Sequence, residues 1–390
     1  MKATKRRGVW LGTVLSLCLV FACGGPDVGV TNEEILIGTW APVTGPASAL
    51  NAIARGIDAY VQHVNAEGGI HERTIRLIVK DDRYDPSITP EVVRELVEQD
   101  QVFALVGGVG SATCLSVKDY LANEFIPWVN PGSGLRQWVV PTNAYVFSIF
   151  PSYVTEARVL AHHAVNELGA DKVGLFYQDD AFGREGREGV SLGLGDVDKR
   201  LAVAESYTFG ESDFAAHAQA LKEAEVDTVI FWSTPSHAAG LIAEFEGLEF
   251  QPQLLASQVL ADPIMFELLG EAWEGAVVTT GLPDPSSDEP KVRRAREIIS
   301  QYAPDAPFGA YALMGLSWAE VLVEGMRQAG PELTRIRLIY ALENLEIGSD
   351  NFLGQPIHFS PENHHGFSSV RLMRAEGGQY VPITDWIPEQ

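Results

Sequence analysis

The chain has 390 residues, is 46% hydrophobic and 21% charged, and carries a formal net charge of −24. That length accommodates two ordinary domains, and so acidic a balance excludes a basic surface for nucleic acid or for anionic lipid headgroups. The first 22 residues hold four of the 28 basic side chains and no acid, so the remainder stands at −28.

The first predicted element is a leader. Lys2, Lys5, Arg6 and Arg7 precede an apolar run from Val9 to Phe21, which ends in Val20-Phe21-Ala22-Cys23. This is the layout of a bacterial secretory signal closed by a lipoprotein box. The run is too short to cross a bilayer, which takes about 20 residues. Residues 1–22 are expected to be removed, Cys23 to carry lipid, and residues 23–33 to form a polar tether. The rest of the chain then lies on the periplasmic or cell-surface side of a bacterial membrane. A plain signal peptide or an uncleaved anchor are the other readings of the same residues.

Strands and helices then alternate. Ile35 to Trp40 reads as a buried strand. Ile53, Ile57, Tyr60, Val61 and Val64 recur at helical spacing between Ala49 and Asn65, and Gly68-Gly69 ends that helix. Strands are expected at Ile75 to Lys80, Val102 to Val106, Ile126 to Val129 and Tyr145 to Ile149. Helices are expected around Val93 to Val97 and Cys114 to Asn123. After Pro151 the pattern restarts, with strands at Val173 to Tyr177, Ala202 to Thr208, Thr228 to Trp232, Gln253 to Ala256 and Ala276 to Thr280. The intervening helices run near Thr155 to Leu168, after Phe182-Gly183, near Phe214 to Ala224 and near His237 to Leu248. The last third reads as helical: Pro290 to Tyr302, Gly309 to Ala329 and Leu333 to Leu342. Two such runs predict an α/β fold of two doubly wound lobes with parallel sheets covered on both faces.

In open α/β sheets, ligands sit where loops leave the carboxyl ends of strands. Three such loops stand out: Gly107 to Thr113, Asn130-Pro131-Gly132-Ser133-Gly134 and Thr44-Gly45-Pro46. Free amides at a helix start favour an anionic group, and Ser111 and Thr113 add hydroxyls. Gly108-x-Gly110-x-x-Thr113 matches only the first half of a dinucleotide fingerprint and follows the third strand, so no cofactor is expected. There is no nucleophile elbow and no P-loop, and no enzymatic activity is expected. Asp81-Asp82 and Asp179-Asp180 read as loop or capping residues. His162-His163 and His364-His365 lack zinc-ligand spacing and are expected at the surface, so no metal site is predicted. Past the lipid cysteine, Cys114 stands alone and is expected to be buried without a disulfide.

At these same residues the chain resembles the type I periplasmic-binding-protein solute receptors of the leucine/isoleucine/valine-binding kind, which serve ABC importers. The motifs occur in order: Ile35-Leu36-Ile37-Gly38, Thr44-Gly45-Pro46, Asn65 to Ile70, Asp81-Asp82 with Asp85-Pro86, Gly107 to Thr113, and Phe182-Gly183 after Tyr177 to Asp180. The likeness covers roughly residues 34 to 385. It implies two Rossmann-like lobes, 34–150 plus 281–354 and 151–280 plus 355–390. A three-stranded hinge would cross near Phe150-Pro151, Thr280-Gly281 and Gly354-Pro356. It also implies a ligand trapped between the lobes, with an ABC permease as partner.

The site residues that the resemblance implies are Ser111, Ala112, Thr113, Asn130 and Ser133 from the first lobe, with Phe182, Thr234 and Gln258 from the second. Three depart from the family pattern. Ala112 replaces a hydroxyl, Thr234 a Tyr, and Gln258 the acid that pairs with an amino acid's ammonium. A buried ammonium needs a carboxylate, so a ligand of amide, hydroxyl or aromatic character is expected over an ordinary α-amino acid. Trp40, Trp138 and Trp232 are candidates for stacking, though more in keeping with core. Tyr84 and Gly110 occupy the positions of a disulfide known in the family. The function implied is capture of a small polar organic solute for import; the alternative is a ligand-sensing or protein-binding lipoprotein with the same fold. Cys23→Ser is expected to move the protein from the membrane fraction to the soluble fraction. Retention in the membrane would show that the chain is held there by something other than lipid on Cys23.

Overall fold

The computed structural model describes residues 27–196 and 200–389; the predicted leader and Cys23 lie outside them. The strands are β1 (Glu34–Ala41), β2 (Thr74–Asp81), β3 (Ala104–Val106), β4 (Trp128–Val129), β5 (Val146–Phe147), β6 (Val173–Gln178), β7 (Leu201–Tyr207), β8 (Thr228–Trp232), β9 (Gln253–Ala256), β10 (Val277–Thr280), β11 (Glu346–Ile347), β12 (Ile357–His358), β13 (Arg371–Glu376) and β14 (Gln379–Pro382). One sheet is parallel, in the order β2-β1-β3-β4-β5. The other runs β14-β13-β10-β9-β8-β6-β7. Its β10-β9-β8-β6-β7 part is parallel, and β13 and β14 add an antiparallel edge.

Local chemistry accounts for these elements. β6 and β8 are buried along their whole length, which is why they read as continuous apolar runs without alternation. In the Ala52–Ala66 helix, Ile53, Ile57, Tyr60, Val61 and Val64 form the buried stripe. Gly68 and Gly69 follow at φ +104° and +74°, a conformation that glycine adopts without a Cβ penalty. Asp81 and Asp82 bind their own loops: Asp81 accepts from the Val43 and Thr44 amides, and Asp82 from the Tyr84 amide and the Thr89 hydroxyl. Asp180 caps the Ala181–Leu194 helix by accepting from the Gly183 amide.

The late helices return to the first lobe. The Ala310–Ala329 helix, buried along most of its length, lies against Ala52–Ala66. The approach is so close that a Cβ on Gly315 would stand 2.0 Å from the Ile53 carbonyl oxygen, and one on Gly56 2.2 Å from that of Ala312.

Several expectations are corrected. The third passage between sheets is not at Gly354-Pro356. β12 pairs with β11, His365 bridges Ser148, and the Gly366 amide donates to the Ser148 carbonyl, so the chain leaves the first lobe only after Gly366. The β13–β14 hairpin was not predicted, although Gly377-Gly378 at φ +61° and +78° is a two-residue hairpin signal. β3, β4 and β5 are shorter than expected, because pairing covers only part of each apolar run. The helix after β2 ends in a π-helical turn at Glu95–Gln99. The tether expected over residues 23–33 is part of the body from Asp27 onward: Asp27 accepts from the Arg335 amide, and Val30 is buried and bridges Ile35. His364 is not on the surface. It is buried, stacked on Phe147 at 3.9 Å, with Nδ1 at 2.7 Å from the Asn143 carbonyl oxygen.

Gly315→Val is expected to destabilise the protein by roughly 1–3 kcal/mol or more, since the overpacked helix must back away from its partner. Chemical denaturation followed by circular dichroism checks this; an unchanged midpoint would show that the two helices do not depend on that contact.

Candidate functional site

The carboxyl ends of both sheets face one another across a cleft of about 480 Å³, mouth included. From the first lobe come Leu50, Ile53, Tyr84, Val109 and the backbone of Gly110 and Gly132. The Ala310–Ala329 helix adds Tyr311, Met314 and Trp318, at spacings that put all three on one helix face. The second lobe supplies Tyr153, Phe182, Thr234, Gln258 and Val259. None of the described side chains that line the cleft is charged at neutral pH. Its walls are aliphatic and aromatic, broken by phenols, one hydroxyl and one amide.

The two lobes touch directly across it. The Tyr311 phenol donates to the Val259 carbonyl at 2.5 Å, and the Tyr311 amide to Asp262 Oδ2 at 3.0 Å. The Tyr84 ring lies 4.8 Å from that of Phe209. At the rim, the Arg136 guanidinium pairs with Glu188 at 2.7 Å, and the Arg136 amide donates to Glu185. Burial there pushes the Glu185 carboxyl up to about 7.

The sequence-predicted residues fall into two groups. Phe182, Thr234 and Gln258 line the cleft. Phe182 packs against Tyr153 and Trp232, with centroids at 4.9 and 5.5 Å. Thr234 carries a defined hydrogen-bond role. The Gly210 amide donates to His237 Nε2, so Nδ1 holds the ring proton and donates to Thr234 Oγ1 at 2.6 Å. Burial pushes His237 down to about 4 and keeps it neutral. The Thr234 hydroxyl is also hydrogen-bonded to the Tyr207 phenol, which accepts from the Thr234 amide at 3.1 Å. Gln258 is more heavily engaged. Its amide nitrogen donates to Glu156, and its carbonyl accepts from the Gly281 amide at 3.3 Å.

The first-lobe residues stand one layer back. The hydroxyls of Ser111 and Ser133 are 2.8 Å apart, and the Tyr153 phenol faces both from the cleft side. Thr113 spends its hydroxyl on the carbonyls of Val109 and Gly110. Asn130, at φ +57°, accepts from the Ile149 amide and so holds two strand ends together. Ala112 follows Ser111 in the first turn of the Ser111–Asn123 helix. Trp40, Trp138 and Trp232 are buried and do not line the cleft. Tyr84 and Gly110 are in contact: a Cβ on Gly110 would lie 2.6 Å from the Tyr84 ring. The Cys114 thiol is fully buried, and burial pushes its pKa up, so it is not reactive.

Sequence reasoning missed Tyr84, Tyr153, Tyr311, Met314 and Trp318 as cleft residues. The Tyr311–Met314–Trp318 spacing was visible; what was not visible was that this face of the late helix turns to the cleft.

The family model of the periplasmic binding proteins matches residues 34–379. The chain belongs to that family. A Leu/Ile/Val-binding protein homolog of Brucella abortus is 25% identical over 318 residues, 80% of this chain and 82% of the relative. A substrate-binding protein of a chemotactic signal transduction system in Halobacterium salinarum is 25% identical over 336 residues, 82% of this chain and 78% of the relative. Among solved structures, a possible leucine/isoleucine/valine-binding protein from Rhodopirellula baltica superposes with a TM-score of 0.83 at 24% identity, covering 90% of this chain and 97% of that one. A branched-chain amino acid ABC transporter protein from Thermus thermophilus, with bound valine, gives 0.83 at 21% identity, covering 92% and 97%. As a periplasmic binding protein the chain is a solute receptor and not an enzyme; it lies outside the cytoplasm and takes a small-molecule ligand.

Tyr311→Phe removes one hydrogen bond between the lobes of this binding protein, worth about 1 kcal/mol net. The expected outcome is a larger radius of gyration in small-angle scattering without ligand, with unchanged far-ultraviolet circular dichroism. An identical scattering profile would show that the phenol does not hold the lobes together.

Proposed function

We propose that this protein is the capture subunit of an ABC importer for a small organic solute with an apolar body and one or two uncharged or carboxylate groups. The observation that carries the reading is the cleft lining: aromatic and aliphatic walls, hydroxyls and one amide, and no ionised side chain among the described lining residues. An α-ammonium buried there would meet no carboxylate directly, and an unpaired buried charge is strongly unfavourable, whereas a ligand carboxylate would meet the amides that open the Ser111–Asn123 helix. The relatives named for leucine, isoleucine and valine agree with the apolar part of this description. Gln258, where the family pattern has an acid, argues against the ammonium.

In this reading Phe182 covers the apolar body of the ligand. Thr234 and Gln258 hydrogen-bond its polar group from the second lobe. The segment Ser111-Ala112-Thr113 and the Asn130–Ser133 turn shape the first-lobe end. Lipid on Cys23 keeps the receptor near its permease, and the lobes open and close by bending at their crossings.

The test is a thermal-shift panel on the chain without its leader, using leucine, isoleucine, valine, isocaproate, isocaproamide and benzoate. A ligand that binds only the folded state adds about 2.7 kcal/mol of stability at 100 times its Kd. The melting temperature is expected to rise with isocaproate, isocaproamide or benzoate and not with the amino acids. A rise with leucine alone would overturn the ligand class while leaving the receptor role intact. A sensory role is the second reading, favoured by the chemotactic relative from Halobacterium. Unimpaired uptake of the ligand in a deletion strain would favour it over import.

A further inference from the structure

Glu156 is a carboxylate for which the cleft has no direct use. It is fully buried in the first turn of the Tyr153–Asn166 helix, just past the first crossing between lobes. Oε1 accepts from the Gln258 backbone amide at 2.6 Å and from the Thr279 hydroxyl at 2.6 Å. Oε2 accepts from Gln258 Nε2 at 3.1 Å. Gln258 lines the cleft, and its carbonyl accepts from Gly281, in the second crossing. One buried carboxyl therefore joins a cleft side chain to both of the first two crossings.

It does so without a cation. Thr279 on β10 and Gln258 after β9 are neutral, Tyr153 is the titratable neighbour on its own helix, and no Lys, Arg or His among the described residues exerts a charge effect on it. Three hydrogen-bond donors are what the carboxylate has instead. Burial outweighs them and pushes the group up to about 7.

We propose that Glu156 is a positioning residue that sets which edge of the Gln258 amide meets the ligand, and that taking up a proton reverses that edge. The inference rests on the reading of the cleft as the ligand site. An ionised carboxylate only accepts, so Gln258 must turn its NH₂ to Glu156 and its carbonyl to Gly281. A proton arriving from solvent on Oε2 makes that oxygen a donor. The amide then meets it by turning about its terminal torsion, carbonyl towards Glu156. The NH₂ now faces the Gly281 amide, donor against donor, and that crossing loses its hydrogen bond. In the cleft, donor and acceptor exchange places. Such a receptor prefers one ligand polarity in mildly acidic surroundings and another in alkaline ones.

Glu156→Gln decides the matter, because its neutral amide stands for the protonated form at every pH. The side-chain amide signals of Gln258, assigned in ¹⁵N-labelled ligand-free protein by their loss in Gln258→Leu, are expected to titrate with a midpoint of about 7 in the unaltered protein. In Glu156→Gln they should stay at the low-pH position throughout. Signals that ignore pH, or that titrate equally in the variant, overturn the proposal. Stability gives a second readout. The folded state holds this proton more tightly than the unfolded chain, so the contribution is full below about 4.5 and is lost as pH rises to about 7. Glu156→Gln should lack that part of the decline, while the other raised carboxyls, among them Glu185 and Glu320 at about 7 and Asp82 at about 6, keep the remainder. An unaltered decline in the variant counts against the proposal. With isocaproate and isocaproamide as probes, the ratio of their thermal shifts should change with pH in the unaltered protein and not in the variant. Absence of any shift would fault the ligand reading alone, because the amide titration needs no ligand.

Discussion

The first lobe is unfinished until the late chain comes back to it. Its parallel sheet needs a covering face, and the Ala310–Ala329 helix supplies that face by lying backbone to backbone against Ala52–Ala66. Gly56 and Gly315 set the distance; any side chain at either would strike a carbonyl of the other helix. The contact does more than close a core. It brings Tyr311, Met314 and Trp318 to the cleft and puts the Tyr311 phenol in reach of Val259 across the gap. One packing constraint between distant segments thus builds the cleft wall and one of the bonds that holds the lobes together.

The cleft itself is a study in neutralised polarity. Its hydroxyl and amide are held from behind: Thr234 by His237 and Gln258 by Glu156. Each support fixes an orientation, so what the ligand meets is pre-set and not improvised on binding. Of the ionisable groups near the cleft, Arg136, Glu185 and Glu188 stand at the rim, where they join lobe to lobe, while Glu156 and Asp262 are buried behind the lining.

Much of this was legible. Continuous apolar runs such as β6 and β8, alternating with helical stripes such as Ile53 to Val64 across short Gly-rich connections, read as interior parallel strands, so the two-lobed α/β fold followed from local pattern. Phe182, Thr234 and Gln258 followed from the family resemblance, and all three line the cleft beyond strand ends. The remainder depended on what the chain does after long excursions. Which face of the Ala310–Ala329 helix meets the cleft is decided by its glycine contact with a helix far away in sequence. That His364 is buried against Phe147 depends on the chain staying with the first lobe past Gly354, which pairing between β11 and β12 enforces. Glu156 reads as one acid of an amphipathic helix, and only the sheet ends that converge on it reveal its partners.

The docking of Asp27 against Arg335 has a consequence for how the receptor is presented. The Arg335 guanidinium binds the carbonyls of Val102 and Phe103, just ahead of β3, whereas the cleft loops leave from the opposite ends of the same strands. The start of the described chain and the mouth of the cleft are therefore at opposite poles of the first lobe, separated by roughly 26 Å, the span of an eight-residue strand such as β1. Asp27 is thus docked at the heel of the first lobe, on the side away from the loops that build the cleft.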